Sequence, residues 1–374
     1  MFHIWTLLPA LYVCGRYLCL TRQSWLIKII FSLCVIAGSE FHFISRLAFG
    51  SMFSPELPHA VMIFLGWFFG SIIFAAVFLL AHDIFILAEG IFRRKPRENR
   101  IVIRNGIMIV SGVLAAVGVW EAVRVPEVKR IEITLDKLPA AFDGFTLAQP
   151  TDLHASRLLS HNWMAEVVTR TNAEHPDLIV VTGDMADGTV GARRNDVAPL
   201  AGLKANYGVW AVTGNHEYYF DAPRWVSEYQ RLGLRFLNNS HVRIKRQGGS
   251  IVVAGVNDAV AAGYGESEPS LTSALHNVAS GEAVILLDHR PGNARESADK
   301  GISLQLSGHT HGGMISGLDR LVAPANKGYV SGQYQIGNMA LYVSNGTGIW
   351  NGFPLRLGQR SEITLITLRS TTRI

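Results

Sequence analysis

Four long apolar stretches, residues 2–20, 25–49, 57–92 and 101–123, fill the first third of this 374-residue chain. Inside a bilayer the backbone N–H and C=O groups find no water, so a single stretch entering it must be helical, and about 20 residues cover the ~30 Å hydrocarbon core. All four are long enough. The first carries Arg16 in its interior, and the third exceeds one span and is predicted to tilt or protrude. An all-α transmembrane domain of about four helices is therefore expected over residues 1–125, and a link containing Pro126 leads to a second domain over residues 126–374. Residues 1–3 supply no basic n-region and three more apolar stretches follow, so the start reads as a span rather than a cleaved signal peptide.

Charge orients the spans. Arg93, Arg94, Lys95, Arg97, Arg100 and Arg104 crowd the connection between the third and fourth, opposed only by Glu98, which places that connection in the cytoplasm. Arg16, Arg22 and Lys28 flank the first connection, whereas residues 51–59 in the second hold no Lys or Arg. Both termini then face outward, and the second domain is expected on the extracytoplasmic side of a multi-pass protein of the bacterial inner (plasma) membrane. Glu40, His42, His82, Asp83 and Glu89 lie in or near the spans; a proton or ion path would use such groups, but helix pairing and interfacial positions are their commoner use.

The net charge of +5 does not point to nucleic acid, because residues 1–130 hold 13 Lys/Arg against 7 Asp/Glu and the remainder 21 against 22. The basic excess belongs to the apolar part. Cys14, Cys19 and Cys34 also lie there, which leaves no disulfide framework and no thiolate metal site for the second domain.

Beyond residue 130, short β-rich runs alternate with helical or polar ones. Strands are expected at residues 131–135, 145–149, 178–182, 209–213, 251–256, 283–287, 304–307, 340–344 and 362–368, and amphipathic helices at 163–172 and 224–233. Several strands are continuously apolar, as when both faces are covered, so the domain is α/β or α+β with a layered core.

Polar clusters recur at one place in this pattern, just past the carboxyl end of an apolar strand, where open α/β sheets place their ligands. The five clusters contain Asp152 and His154; Gly183, Asp184 and Asp187; Gly214, Asn215, His216 and Glu217; His289, Arg290 and Pro291; and Gly308, His309, His311 and Gly312. Carboxylate, imidazole and amide oxygen together suit a borderline divalent metal such as Mn, Fe or Zn rather than an all-oxygen calcium site. An Asp-x-His or His-x-His pair can aim both side chains into one pocket if the backbone curls, and the adjacent glycines permit that turn.

In this order the clusters resemble the motif series of the calcineurin-like metallophosphoesterase superfamily: Asp-x-His, Gly-Asp-x-x-Asp, Gly-Asn-His-Asp/Glu, a lone His, and Gly-His-x-His. The resemblance covers residues 131–374 and is nearest in style to a bacterial membrane-anchored branch that includes a UDP-2,3-diacylglucosamine pyrophosphate hydrolase of lipid A synthesis. It implies a four-layer α/β/β/α sandwich and two divalent metal ions. Asp152, His154 and His311 would hold one, Asn215, His289 and His309 the other, and Asp184 would bridge them. His216 would stabilise the transition state and protonate the leaving oxygen, and the nucleophile would be a water activated between the metals.

Each residue has a plainer reading. Thr151 stands where the family usually has Ser, and His289 rests on little local context. Asp187 and Glu217 fit hydrogen bonds to the ligands or a helix cap better than direct ligation. Arg157, His161 and Arg290 are candidates for phosphate contact, His175, His241 and His276 read as surface or core histidines, and Tyr218, Tyr219 and Trp350 as packing that could also line a lipid-facing groove.

The expected activity is that of a membrane-anchored phosphodiesterase or phosphatase on a lipid-linked or amphipathic phosphoester, with the bilayer as its neighbour. UDP-2,3-diacylglucosamine is the alternative substrate, though it is cytosolic and conflicts with the outward orientation. A periplasmic enzyme for soluble phosphoesters is another. A non-catalytic membrane binding or sensing module would have lost a ligand or the His of Gly-Asn-His, and none is missing.

Overall fold

The computed structural model describes residues 2–18, 23–92 and 100–371, so Cys19, Arg22, Arg93, Arg94, Lys95, Arg97 and Glu98 lie outside the described residues. The chain forms two compact units, Met1–Glu121 with Trp350–Leu355, and Ala122–Ile349 with Arg356–Ile374.

The first unit contains α1 (Phe2–Leu18), α2 (Trp25–Ser39), α3 (Phe41–Phe49), α4 (His59–Phe92) and most of α5 (Arg100–Val123). Among the described residues only α4 and α5 are long and apolar enough to cross a membrane as single helices; α2 and α3 make a third crossing if taken together, although they are bent by 66°. The break falls at Glu40, whose carboxylate accepts a hydrogen bond from Thr6 Oγ1 of α1 at 2.7 Å, so a group that lipid would not solvate is turned inward. The first stretch is a 17-residue helix interrupted by Pro9. Apolar packing joins these helices: Ala10 and Val13 of α1, Val35 of α2, and Ile72, Ala75 and Leu79 of α4 share one buried cluster.

The second unit is built on two six-stranded mixed sheets. The first has the order β1 (Val128–Leu135), β12 (Ile363–Ser370), β2 (Thr146–Gln149), β3 (Leu178–Val181), β4 (Val209–Ala211), β5 (Arg235–Phe236). The second runs β10 (Gly332–Ile336), β11 (Met339–Val343), β9 (Leu304–Ser307), β8 (Ala283–Leu287), β7 (Gly249–Gly255), β6 (Ser240–Arg246). Strands β2, β3 and β4 are parallel neighbours, as are β7, β8 and β9. One buried cluster draws Leu147, Leu178, Val180 and Ile366 from the first sheet together with Ile251, Val253, Ile285, Leu287 and Leu306 from the second. The opposite face of the second sheet buries Val252, Ala254, Val284, Leu286 and Leu341 with Ala274 and Ala294. That is why β7 and β8 read as continuous apolar runs.

All nine expected strands are present. Three more, β5, β6 and β10, were not expected, because β5 and β6 are rich in Arg and Lys and β10 alternates Gln with apolar residues; all three are edge strands, where polar residues discourage further pairing. Helices α6 (His161–Ala173) and α9 (Ala222–Arg231) match the expected pair, while α7 (Val190–Val197) and α8 (Asn215–Tyr219) are short elements that periodicity does not register.

Candidate metal centre

The five polar clusters leave the carboxyl ends of β2, β3, β4, β8 and β9. Their side chains converge because the backbone turns left-handed at the relevant residues: φ is 52° at Asp152, 48° at His154, 55° at Asp184, 70° at His309 and 49° at His311. In an extended chain residues i and i+2 would share a face but diverge with the strand; here the curl brings both members of Asp-x-His and of His-x-His inward. Such conformations cost about 1–3 kcal/mol for a residue with a side chain. Bonds between loops hold them. Asp152 N–H donates to the Gly183 carbonyl (3.1 Å), His154 N–H to the Asp184 carbonyl (3.0 Å), and His309 N–H to Asp152 Oδ1 (2.9 Å). The loops also approach so closely that a Cβ at Gly214 would collide with the Asp184 carboxylate, and one at Gly308 with that of Asp152.

Three groups of ligand atoms each lie within 4.8 Å: Asp152, His154 and His311; Asp184, His289 and His309; and His154, Asp184 and His216. Asp184 belongs to two of them. Its Oδ1 accepts the His216 N–H at 2.8 Å, and its Oδ2 lies 3.2 Å from His289 Nε2 and 3.8 Å from His154 Nε2. Asn215 joins the second group, with Oδ1 3.2 Å from His289 Nε2.

These donors fit cations. His289 Nδ1 donates to the Thr182 carbonyl at 2.7 Å, so Nε2 presents a lone pair, and it faces two other acceptors, Asn215 Oδ1 and Asp184 Oδ2. His154 Nδ1 likewise donates to Asp187 Oδ1 at 3.0 Å, leaving its Nε2 lone pair toward His311 Nε2, 3.1 Å away. Asp152 Oδ2 is buried and has no hydrogen-bond partner among the described residues. Acceptors facing acceptors repel unless positive charge lies between them. The same demand appears in the titration of the histidines. Burial opposes the charged form of His289, yet the Asp184 and Asp152 carboxylates raise it to about 10; burial opposes that of His216, yet Asp184 and Asp187 raise it to about 9.

Asp187 does more than cap. Its Oδ1 accepts from His154 Nδ1 and, at 2.6 Å, from His216 Nδ1, so one carboxylate oxygen orients both imidazoles. Burial would raise this carboxyl, but the two imidazoles hold it down to about 2. Glu217 ties two loops together: Oε2 accepts from Asp184 N–H (3.0 Å) and Gly214 N–H (2.8 Å), and Oε1 from Met185 N–H (2.8 Å). Burial, then the Asp184 charge, push Glu217 up to about 7 against these bonds. A Glu217→Gln variant must turn its NH₂ toward at least one of three buried N–H donors. The expected loss is about 3 kcal/mol. The thermal midpoint of the full chain in detergent should fall by roughly 10 °C, and an unchanged midpoint would contradict the clamp.

Of the phosphate-contact candidates, Arg290 reaches the cluster: Nη2 donates to Asn215 Oδ1 (3.1 Å), Nη1 to His309 Nε2 (3.2 Å), and Nε to Asp258 Oδ2 (2.8 Å). Arg157 is exposed; His161 is also exposed, and its Nδ1 is engaged by the Asn195 carbonyl at 2.7 Å. Tyr218 is buried on Thr213, the Tyr219 ring lies 5.2 Å from the His216 ring and is tilted 50° to it, and Trp350 belongs to the first unit. His241 bonds the Ala274 carbonyl, a structural role.

Two residues went unnoticed in the motif series. Asp258, which holds Arg290, follows the carboxyl end of β7, and nothing local marks it as an arginine partner. Arg356 is fully buried and donates to the carbonyls of His311 (3.1 Å), Asn345 (2.7 Å) and Gly348 (2.9 Å). It lies 45 residues beyond His311, with no pattern to flag it.

Residues 145–313 match the family described as calcineurin-like phosphoesterase. The chain is 33% identical over 253 residues to a transmembrane protein with metallophosphoesterase domain of Danio rerio, covering 65% of this chain and 57% of that protein. It is 32% identical over 241 residues to an uncharacterized metallophosphoesterase of Bacillus subtilis (63% and 82%) and 32% over 251 residues to one of Aquifex aeolicus (65% and 91%). The chain therefore spans little more than half the length of the Danio rerio relative.

Proposed function

Because the chain belongs to the calcineurin-like phosphoesterase family, whose members use a binuclear divalent metal centre, we propose that its second unit hydrolyses a phosphoester with Asp152, His154 and His311 holding one cation, Asn215, His289 and His309 a second, and Asp184 both. The observation that carries this reading is the placement of Asp184 Oδ2 between His289 Nε2 and His154 Nε2, in a site whose acceptors otherwise face one another. Two such cations lower the pKa of a water and draw charge from the phosphoryl oxygens.

The remaining work falls to the chain itself. His216 has Nδ1 committed to Asp187, so Nε2 is the atom turned toward the ligands, 4.0 Å from Asp184 Oδ2, and it supplies a hydrogen bond or a proton to the leaving oxygen. Arg290 binds the phosphoryl group. While Nη1 donates to His309 Nε2, the hydrogen of a neutral His309 sits on Nδ1 and points at His289 Nε2, 3.2 Å away. Were His309 to hold a cation, Arg290 would lose its claim on that imidazole and be free to meet an anion. An Arg290→Met variant should raise KM about tenfold with metal content and kcat nearly unchanged. A kcat loss without a KM change would remove Arg290 from substrate binding.

For the substrate we favour a lipid-linked or amphipathic phosphoester, supported by the apolar helices of the first unit and by the Tyr219 and Tyr264 rings, 6.0 Å apart, beside His216. The arrangement we propose for the chain is a four-layer α/β/β/α sandwich over residues 126–374 behind four spans, outward-facing on a plasma membrane, supported by the buried cluster shared by the two sheets and by the basic third connection. A reporter fused to the C-terminus should read extracytoplasmic; a cytoplasmic signal would reverse the orientation and reopen UDP-2,3-diacylglucosamine as substrate. The central test is purification of the full chain, metal analysis, and turnover of bis-p-nitrophenyl phosphate with Mn, Fe or Zn. Hydrolysis abolished by chelation and restored by metal supports the reading. Metal-loaded protein inert toward soluble and micellar phosphoesters alike would favour a binding module.

A further inference from the structure

Far along the sequence from the metal centre, three helices of the first unit bring charged side chains together among apolar ones. Asp83 of α4 accepts hydrogen bonds at Oδ2 from Tyr12 Oη, at 2.5 Å, and from Arg16 Nε of α1. Arg104 of α5 approaches from the other side, with Nη1 donating to the Arg16 carbonyl at 3.0 Å. Its Nη2 stays 3.6 Å from Asp83 Oδ1, too far for a hydrogen bond. Arg104 is 6% exposed, and its Nε has no hydrogen-bond partner among the described residues; neither has Asp83 Oδ1. Among the described residues two guanidinium groups therefore share one carboxylate, which leaves one positive charge unmatched there, where burying it is costly.

The position of the cluster narrows what can neutralise it. Arg16 stands near the end of α1 and Arg104 near the start of α5, the helix that follows the basic sequence Arg93, Arg94, Lys95, Arg97 and Arg100. Basic residues gather there opposite the leaflet rich in anionic lipids. The Arg16 side chain is 44% exposed, which opens the cluster to that leaflet. Free donors on guanidinium and a free carboxylate oxygen together call for a ligand with an anionic acceptor and a hydroxyl donor.

We propose that Arg16 and Arg104 bind the phosphodiester of an anionic phospholipid with a hydroxylated headgroup, while Asp83 holds the two arginines and accepts from a headgroup hydroxyl. A free phosphate offers the same anionic oxygens, so the test separates the two sources. The full chain in detergent is titrated with phosphatidylglycerol, with phosphatidylcholine, and with inorganic phosphate, following bound lipid by native mass spectrometry and stability by thermal midpoint. Phosphatidylglycerol should bind and raise the midpoint, and phosphatidylcholine should do neither. Arg104→Gln should weaken phosphatidylglycerol binding about tenfold and abolish its effect on the midpoint. A residue that merely braces the helices would lower the midpoint equally with either lipid. If Arg104→Gln does not yield folded protein, Arg16→Gln, on the more exposed side, carries the same expectation. Equal binding of the two lipids, wild-type phosphatidylglycerol affinity in the variants, or equal stabilisation by inorganic phosphate would overturn the proposal.

Discussion

An Asp184→Asn variant should lose phosphodiesterase turnover by roughly a thousandfold or more and retain fewer than two bound metal ions per chain. The expectation follows from what each oxygen of Asp184 does. Oδ1 accepts the His216 N–H at 2.8 Å, and an amide oxygen can keep that bond. The amide NH₂ then falls where Oδ2 now stands, 3.2 Å from His289 Nε2 and 3.8 Å from His154 Nε2. Two N–H donors would point into space that both ligand sets need for a cation, and one negative charge would be gone. The loss should be one of metal as well as of rate, because a single residue serves both sets. Metal analysis and turnover on the same preparation check this: a variant with two metals and wild-type activity would sink the site. A variant with two metals and no activity would instead restrict Asp184 to the chemistry. Thermal stability should change less than for Glu217→Gln, since the backbone bonds to the Asp184 loop survive.

The seven proposed ligands and His216 were legible in sequence because their signal is local. Each sits within a few residues of a strand end, and strands buried on both faces announce themselves as apolar runs. What made them converge was not legible. Asp152, His154, Asp184, His309 and His311 all adopt left-handed conformations, which neither aspartate nor histidine signals as glycine does. The partners that hold those turns come from other loops, so Glu217 could be read as a helix cap from its position three residues past Gly214, but not as the acceptor for Asp184 and Met185. Arg356 is the extreme case, a buried arginine whose partners are carbonyls brought near by the fold alone.

In the helical unit the lesson differs. Hydropathy counts residues but does not see a bend, and the stretch over residues 25–49 contains one where Glu40 turns to Thr6. Polarity at Asp83 was visible in sequence, whereas its two arginine neighbours lie on helices 67 residues before and 21 residues after it. The edge strands β5, β6 and β10 were missed for an opposite reason: they follow the rule that exposed edges carry polar residues, and so resemble loops.

The second large effect is expected at Asp187. Its Oδ1 takes hydrogen bonds from His154 Nδ1 at 3.0 Å and His216 Nδ1 at 2.6 Å, and its Oδ2 is buried without a partner among the described residues. In Asp187→Asn the amide oxygen can still accept both imidazole hydrogens, but the NH₂ then occupies the position of Oδ2 as an unsatisfied buried donor. The charge that steadies both rings is also lost. Turnover should drop about a hundredfold, and affinity for the cation proposed at Asp152, His154 and His311 by about 10–100-fold, because His154 loses the group that fixes its tautomer. His216→Asn should lower turnover by about the same factor and leave metal content intact. The two variants separate the roles of the carboxylate. If Asp187 acts on turnover through His216, then adding Asp187→Asn to His216→Asn should cost little further rate at saturating metal, while the metal-affinity defect persists in full. Fully additive rate losses in the double variant would mean that the carboxylate acts on the reaction by another route, and an unchanged metal affinity in Asp187→Asn would release His154 from its control.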